Sequence, residues 1–202
     1  MDIEKEGIIL DAAMSIFLKY GYQKTTMDDI AHEAMIGKGT IYYYFKTKED
    51  IFIAILKNLS CDARDSLREK INNAKSFEEK LQIFLVEPCN WLNSNSKLLV
   101  QAMNDDSPAF MKKLNEFKSE TFDFNKALLH EFFYDACEAG QLKRQYAESI
   151  ERILEIILKW MMFSGEYFKF NISEDKINEV KEDYLLLSNV IVNGLIKKEV
   201  TE

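Results

Sequence analysis

The sequence predicts an all-α protein, and three observations carry that expectation. Seven glycines and two prolines in 202 residues leave few places for the chain to turn. No Asn-Gly or Asp-Gly pair stands between alternating apolar runs, as a β-hairpin would require. Apolar residues recur instead at three- and four-residue spacing over most of the chain, the period of amphipathic helices.

The first helix carries Ile9, Ala12, Ala13, Ile16, Phe17 and Tyr20 on one face. Gly21 follows at once and suits a left-handed C-cap, with Tyr22 beyond it to pack back. Thr26 then reads as an N-cap, with Asp29 three residues on in the capping-box position, and Met27, Ile30, Ala31 and Ala34 give a short second helix its buried face. Met35-Ile36-Gly37 interrupts the pattern, and Met35 stands at a turn position that favours glycine. A third helix opens at Lys38, turning Ile41 and Phe45 inward and Thr40 and Tyr43 outward. Two short helices joined by a three-residue break, the second with hydrogen-bonding side chains on its free face, describe a helix-turn-helix made to enter the DNA major groove. Residues 1–47 form this three-helix DNA-binding domain.

Thr26, Ile30-Ala31, Ala34, Gly39-Thr40-Ile41-Tyr42, Tyr44-Phe45 and Lys48-Glu49-Asp50-Ile51 resemble the DNA-binding motif of the TetR (tetracycline repressor-like) family of transcriptional regulators. The likeness covers about the first quarter of the chain; beyond it only length, helical pattern and helix order agree. Two positions depart from the family pattern, Met35 where glycine is usual and Gly37 where a Ser-like cap is usual. Gly37 remains an acceptable cap, worse than Ser by only a few tenths of a kcal/mol. Side-chain chemistry places Thr40 and Tyr43 at base edges, with Lys38 in reach of a guanine and Gly39 letting the backbone approach closely. The resemblance implies phosphate contacts for Thr26, Tyr42, Tyr44 and Lys48, and Lys46 adds charge. For Tyr44, near the buried flank of the helical wheel, packing is an equal reading.

A connecting helix at 48–73 follows, with the stripe Ile51, Phe52, Ile55, Leu56, Leu59, Leu67 and Ile71 and no glycine or proline. The resemblance implies that it joins the DNA-binding head to the regulatory part. The polar stretch from Asn72 to Ser76 is the best boundary, and 74–202 forms a helical effector-binding and dimerisation domain. The next helix, from Phe77, contains Pro88, which predicts a kink near Cys89, and the Asn93-Ser94-Asn95-Ser96 run predicts its end. A short helix with Leu98, Leu99, Ala102 and Met103 is expected next, then one from Ser107-Pro108 to about Ala139, closed by Gly140. The last two helices, about 146–170 and 174–198, are apolar over more than one stripe and so face the domain core on one side and a second copy on the other. Ile153, Ile157, Trp160, Leu187, Val190 and Ile191 are the expected dimer contacts, in a four-helix bundle that the resemblance also implies. Trp91, Met103, Phe110, Phe117, Phe133, Trp160 and Phe163 are candidates to line a pocket for an apolar or aromatic effector, of the kind the resemblance implies, and the same stripes suit an ordinary core.

The net charge of −8 is unusual for a protein that follows phosphates. Lys38, Lys46 and Lys48 nevertheless cluster around the third helix, while Asp2, Glu4 and Glu6 argue against a basic arm in the minor groove. Cys61, Cys89 and Cys137 have no partner at metal-ligand spacing and read as reduced packing residues, so neither metal nor cofactor is expected. Two distant histidines, without a phosphate-binding loop or nucleophile motif, argue against an enzyme. No apolar run is long enough to span a bilayer and the N-terminus opens with acids, which predicts a cytoplasmic protein. The sequence thus describes a homodimeric, ligand-responsive regulator, read first as a repressor on a palindromic operator. The alternative is a helical dimer that binds a small molecule or protein and has a weak or lost DNA head.

Overall fold

A computed structural model of the chain describes residues 2–102, 107–142, 144–163 and 174–195, which form eight helices and no strand. In order these are α1 (Asp2–Tyr20), α2 (Met27–Glu33), α3 (Lys38–Tyr44), α4 (Lys48–Asn73), α5 (Phe77–Ala102), α6 (Pro108–Glu138), α7 (Arg144–Phe163) and α8 (Glu174–Leu195). The chain divides into two compact units, residues 1–62 with 95–117 and residues 63–94 with 118–202.

The first unit is built around rings. α1 ends where the Gly21 N–H donates to the Phe17 carbonyl at 3.0 Å, with Gly21 at φ 93°, and the reversal turns Tyr22 back into the core. Tyr22 then stands 5.2 Å from Phe17, 5.1 Å from Phe52 of α4 and 5.8 Å from Phe110 of α6, all centroid to centroid. All four rings are fully buried, and their tilted and edge-on contacts add to the area they remove from water. Ile9, Ile16, Ile30, Ile41 and Ile51 are buried in the same unit.

α4 starts with the same device as α2. The Thr47 N–H donates to Asp50 Oδ2 at 3.0 Å while the Asp50 N–H donates to Thr47 Oγ1 at 3.2 Å, a reciprocal cap. Lys113, from the first turns of α6, donates from Nζ to Asp50 Oδ1 and to Thr47 Oγ1. Burial pushes the Asp50 carboxyl up, but the hydrogen bonds from Lys113 and Thr47 outweigh it and hold the group below the ordinary carboxylate value.

The second unit packs α4 (Leu67, Ile71), α5 (Phe77, Leu81, Phe84) and α6 (Leu129, Phe132, Phe133) with α7 and α8 around one apolar core. Phe77 meets Phe133 edge-on at 4.9 Å, and Phe84 lies 5.5 Å from Phe132. α5 contains Pro88 and differs from the sequence expectation at the Asn93–Ser96 stretch, where it does not end but runs on to Ala102. Proline removes only one N–H from the ladder, and Leu92, packed on the core, and Leu98, buried at 1%, hold the polar stretch from both sides, so packing overrides propensity. α6 begins as expected, with the Phe110 N–H on Ser107 Oγ at 3.3 Å, and Gly140 at φ 70° follows its end. The expected extensions of α7 to 170 and α8 to 198 lie outside the described residues.

Replacing Lys113 by Met should lower stability by up to about 1 kcal/mol at neutral pH, as for other partly exposed ion pairs. Asp50 sits below its ordinary 3.8, so its contribution is complete above that value and disappears as pH falls through the lower folded-state value. Urea unfolding near neutrality and near about pH 3 should therefore show the variant and the natural protein converging in acid; an equal gap at both would refute the pair's role.

Candidate nucleic-acid interface

α2 and α3 supply the candidate interface, and the turn between them fixes their relation. Thr26 caps α2: its Oγ1 accepts the Asp29 N–H at 3.2 Å, and its own N–H donates to Asp29 Oδ2 at 2.9 Å. Hydrogen bonds from Thr26, side chain first and then backbone, hold the Asp29 carboxyl below its ordinary value. At the other end the Ile36 N–H reaches the Ala31 carbonyl at 3.0 Å and the Met35 N–H the His32 carbonyl at 3.1 Å. These two bonds form a Schellman C-cap, with Met35 at φ 53° in the position glycine usually takes. The Met35 side chain is 93% exposed, so it gains no packing in return for that backbone conformation.

Gly37 caps α3 through its backbone alone, its carbonyl accepting the Thr40 N–H at 2.8 Å. Ile41 and Phe45 bury themselves and set the roll of the helix, which leaves Tyr43 73% and Tyr42 38% exposed. Thr40 is half-buried, and Tyr44 is half-buried with its ring edge-on to Tyr43 at 5.2 Å. A Cβ at Gly39 would meet nothing within 4 Å, so no contact inside the protein demands glycine there, and the backbone is open to an approaching duplex.

The three lysines all have partners. Lys38 Nζ donates to Asp28 Oδ2 at 2.7 Å, and this hydrogen bond and charge raise the lysine's pKa above its ordinary value. Lys46 Nζ donates to the Tyr42 carbonyl at 2.9 Å, a cation at the C-terminal end of α3. Lys48 Nζ donates to the Tyr22 carbonyl at 2.9 Å and lies 4.4 Å from the centre of the Tyr22 ring. Thr26, Lys38, Gly39, Thr40, Tyr42, Tyr43, Tyr44, Lys46 and Lys48 thus all fall in the first unit.

The described effector candidates are divided between the two units. Phe110 and Phe117 are buried in the first unit, Phe110 among the rings behind the helix-turn-helix. Phe133, buried, and Trp91, half-buried, belong to the second. Met103 and the side chains of Trp160 and Phe163 lie outside the described residues. Sequence reasoning missed Lys113 and the α4 cap. Thr47-x-x-Asp50 repeats the spacing of Thr26-x-x-Asp29 and would have revealed the cap; nothing in the pattern points from Lys113 to Asp50.

A capped helix, a three-residue turn and a second helix with its polar face free define a helix-turn-helix DNA-binding protein. Residues 9–55 match the bacterial regulatory proteins of the tetR family, so this stretch carries that family's DNA-binding segment. YhgD, an HTH-type transcriptional regulator of Bacillus subtilis, is 38% identical over 81 residues, 40% of this chain and 42% of that protein. The fatty acid metabolism regulator protein of Bacillus subtilis is 24% identical over 197 residues, 93% of this chain and 92% of the relative. IcaR of Staphylococcus epidermidis, a negative regulator of the biofilm operon icaADBC, is 27% identical over 186 residues, 91% of this chain and 97% of its own. Among solved structures, a transcriptional regulator from Cytophaga hutchinsonii aligns with TM-score 0.69 at 19% identity, over 95% of this chain and 98% of that one. FadR from Bacillus subtilis in complex with stearoyl-CoA aligns with TM-score 0.53 at 23% identity, over 94% and 97%. At these identities the structural likenesses show a shared fold.

Met35→Gly relieves the left-handed strain without losing a contact, and should raise stability by about 1 kcal/mol, or about 2–4 °C in Tm, measured by thermal unfolding. A fall in Tm would mean that the side chain does more than its exposure suggests. Asp28→Asn frees Lys38 for phosphate, and should tighten binding to DNA from the gene's own upstream region by about two- to fivefold in fluorescence anisotropy. Unchanged affinity would show that the Asp28 pair withholds nothing.

Proposed function

We propose that the protein is a homodimeric, ligand-responsive transcriptional repressor that reads a palindromic operator with two copies of α3. The observation that carries this is the division of α3 into a buried face, Ile41, and an exposed one, Tyr42 and Tyr43. Thr40 and Tyr43 meet base edges, with Lys38 beside them. Thr26, Tyr42, Tyr44, Lys46 and Lys48 follow the phosphates, and Gly39 admits the backbone. The name of IcaR, a negative regulator, supports repression.

Pairing is supported by apolar side chains left open on the last two helices. Ile153 and Ile156 of α7 are 52% and 61% exposed, and Leu186 and Val190 of α8 are 64% and 62% exposed. Exposed side chains of this type cluster where another chain covers them, and a two-fold axis sets two recognition helices at half-site spacing. Ile157 and Leu187 are half-buried against the core and Ile191 is buried, so they support this face from behind.

The effector is an apolar small molecule held in the second unit, with Phe133 and Trp91 the described candidates to meet it. The fatty acid metabolism regulator and the FadR complex with stearoyl-CoA support a long aliphatic group as the first chemistry to try. α4, α5 and α6 each contribute residues to both units, so a change around the effector has three covalent routes to the head. Release needs the effector to prefer the DNA-incompetent state by about 1–3 kcal/mol. The protein acts in the cytoplasm, where DNA is; among the described residues no helix is long and apolar enough to cross a membrane.

A mobility-shift titration against the gene's own upstream region tests this reading. A salt-sensitive band that resists non-specific competitor is expected, with its sequence preference altered by Tyr43→Ala. A sedimenting dimer that shifts no DNA would instead favour the helical binding module with a lost head.

A further inference from the structure

Arg64 and Arg68 lie four residues apart on α4 and share one ring, their guanidinium carbons 5.3 and 5.7 Å from the centre of Phe124. Both belong to the second unit, and Phe124 is half-buried against its apolar core. Arg68 is matched: its Nη1 donates to Glu131 Oε2 at 2.8 Å at the surface. Arg64 is not matched in the same way. Its Nη2 donates to the Thr121 hydroxyl at 2.7 Å, and its Nε, shut off from solvent, has no acceptor among the described residues. A ring face and a hydroxyl are thus the contacts this half-buried permanent cation makes among the described residues.

Two deficits coincide there, an unused N–H and an unbalanced charge. A water molecule would satisfy the N–H and leave the charge unbalanced. An oxyanion answers both, because a guanidinium presents its N–H groups as a planar fork that fits two oxygens of a carboxylate or phosphate. Next to that fork the chemistry is apolar: Phe122 and Phe124 at the edge of the core, and Leu67, buried, three residues along α4. A head that carries negative charge and a tail that carries none would suit the two surroundings together.

We propose that Arg64 anchors the oxyanion head of an amphiphilic effector whose aliphatic chain enters the core of the second unit. This rests on the reading of the protein as ligand-responsive and deepens it, by making the effector an anion. The head is the carboxylate of a fatty acid or a phosphate of its coenzyme A thioester, and the two are separable by experiment.

Isothermal titration of the full-length protein with dodecanoate, dodecanoyl-CoA and the uncharged dodecanol decides the matter. At least one anionic probe should bind at least tenfold more tightly than dodecanol, and whichever does so identifies the head. Arg64→Met should bring that probe down to the level of dodecanol and leave dodecanol itself unchanged. Arg64→Lys, which keeps the charge and loses the fork, should weaken it several-fold, and serves alone if the Met variant does not fold. Equal binding of all three probes by the natural protein overturns the anchor and leaves an apolar effector standing. Anion binding that neither substitution alters overturns the anchor as well. No binding of any probe overturns both the anchor and the aliphatic effector.

Discussion

A helix of seven residues does not hold itself together in water, and the reading head consists of two of them. α2 and α3 exist because Ile30, Ala31, Ile41 and Phe45 have somewhere to go. That place is made by α1, by the start of α4 and by the rings of Phe17, Tyr22, Phe52 and Phe110. The dependence runs in one direction. Tyr22 is drawn in by the reversal at Gly21, and its backbone carbonyl and ring then hold Lys48 at the start of α4. The polar face of α3 is consequently aimed by contacts buried behind it, among Phe17, Tyr22, Phe52 and Phe110.

Charge is organised just as locally. A chain with net charge −8 repels a duplex on average, yet Lys38, Lys46 and Lys48 sit within a few residues of α3. In the free protein each is held by a partner of its own, Asp28, the Tyr42 carbonyl or the Tyr22 carbonyl. For the exposed Lys38–Asp28 pair such a contact is worth at most about 1 kcal/mol, so a phosphate can displace it. Lys48, half-buried and also over a ring, is the harder of the three to redirect. Its contacts with Tyr22 fix the entry of α4.

Where the sequence was legible, one local rule decided the outcome. Thr26 with Asp29 capped α2, Gly21 ended α1, and the unbroken stripe from Ile51 to Ile71 gave α4. Where it was not, a distant contact decided. The Asn93–Ser96 run read as an end because it is unfavourable by propensity, and Leu92 and Leu98 hold the helix through it. Phe110 looked like a pocket residue because a phenylalanine at helical spacing is the same letter in a core and in a cavity. Only the fold brings it against Tyr22 and Phe52, and only the fold brings Lys113 to Asp50.

The turn at Met35 shows why a departure from a motif need not break it. The angle between α2 and α3 is set by the backbone, through the Ile36 N–H on Ala31 and the Met35 N–H on His32. Both bonds form whichever side chain occupies position 35, provided the residue adopts positive φ, which Met35 does at 53°. Glycine adopts that conformation at lower cost, so the substitution bears on how stable the head is. It does not bear on where α3 points. Gly37 follows the same logic, for its carbonyl makes the first bonds of α3 and only the side-chain cap is missing. The geometry that a DNA groove meets is thus independent of the two residues in which this chain departs from the family pattern, and the cost of those departures falls on the stability of the fold.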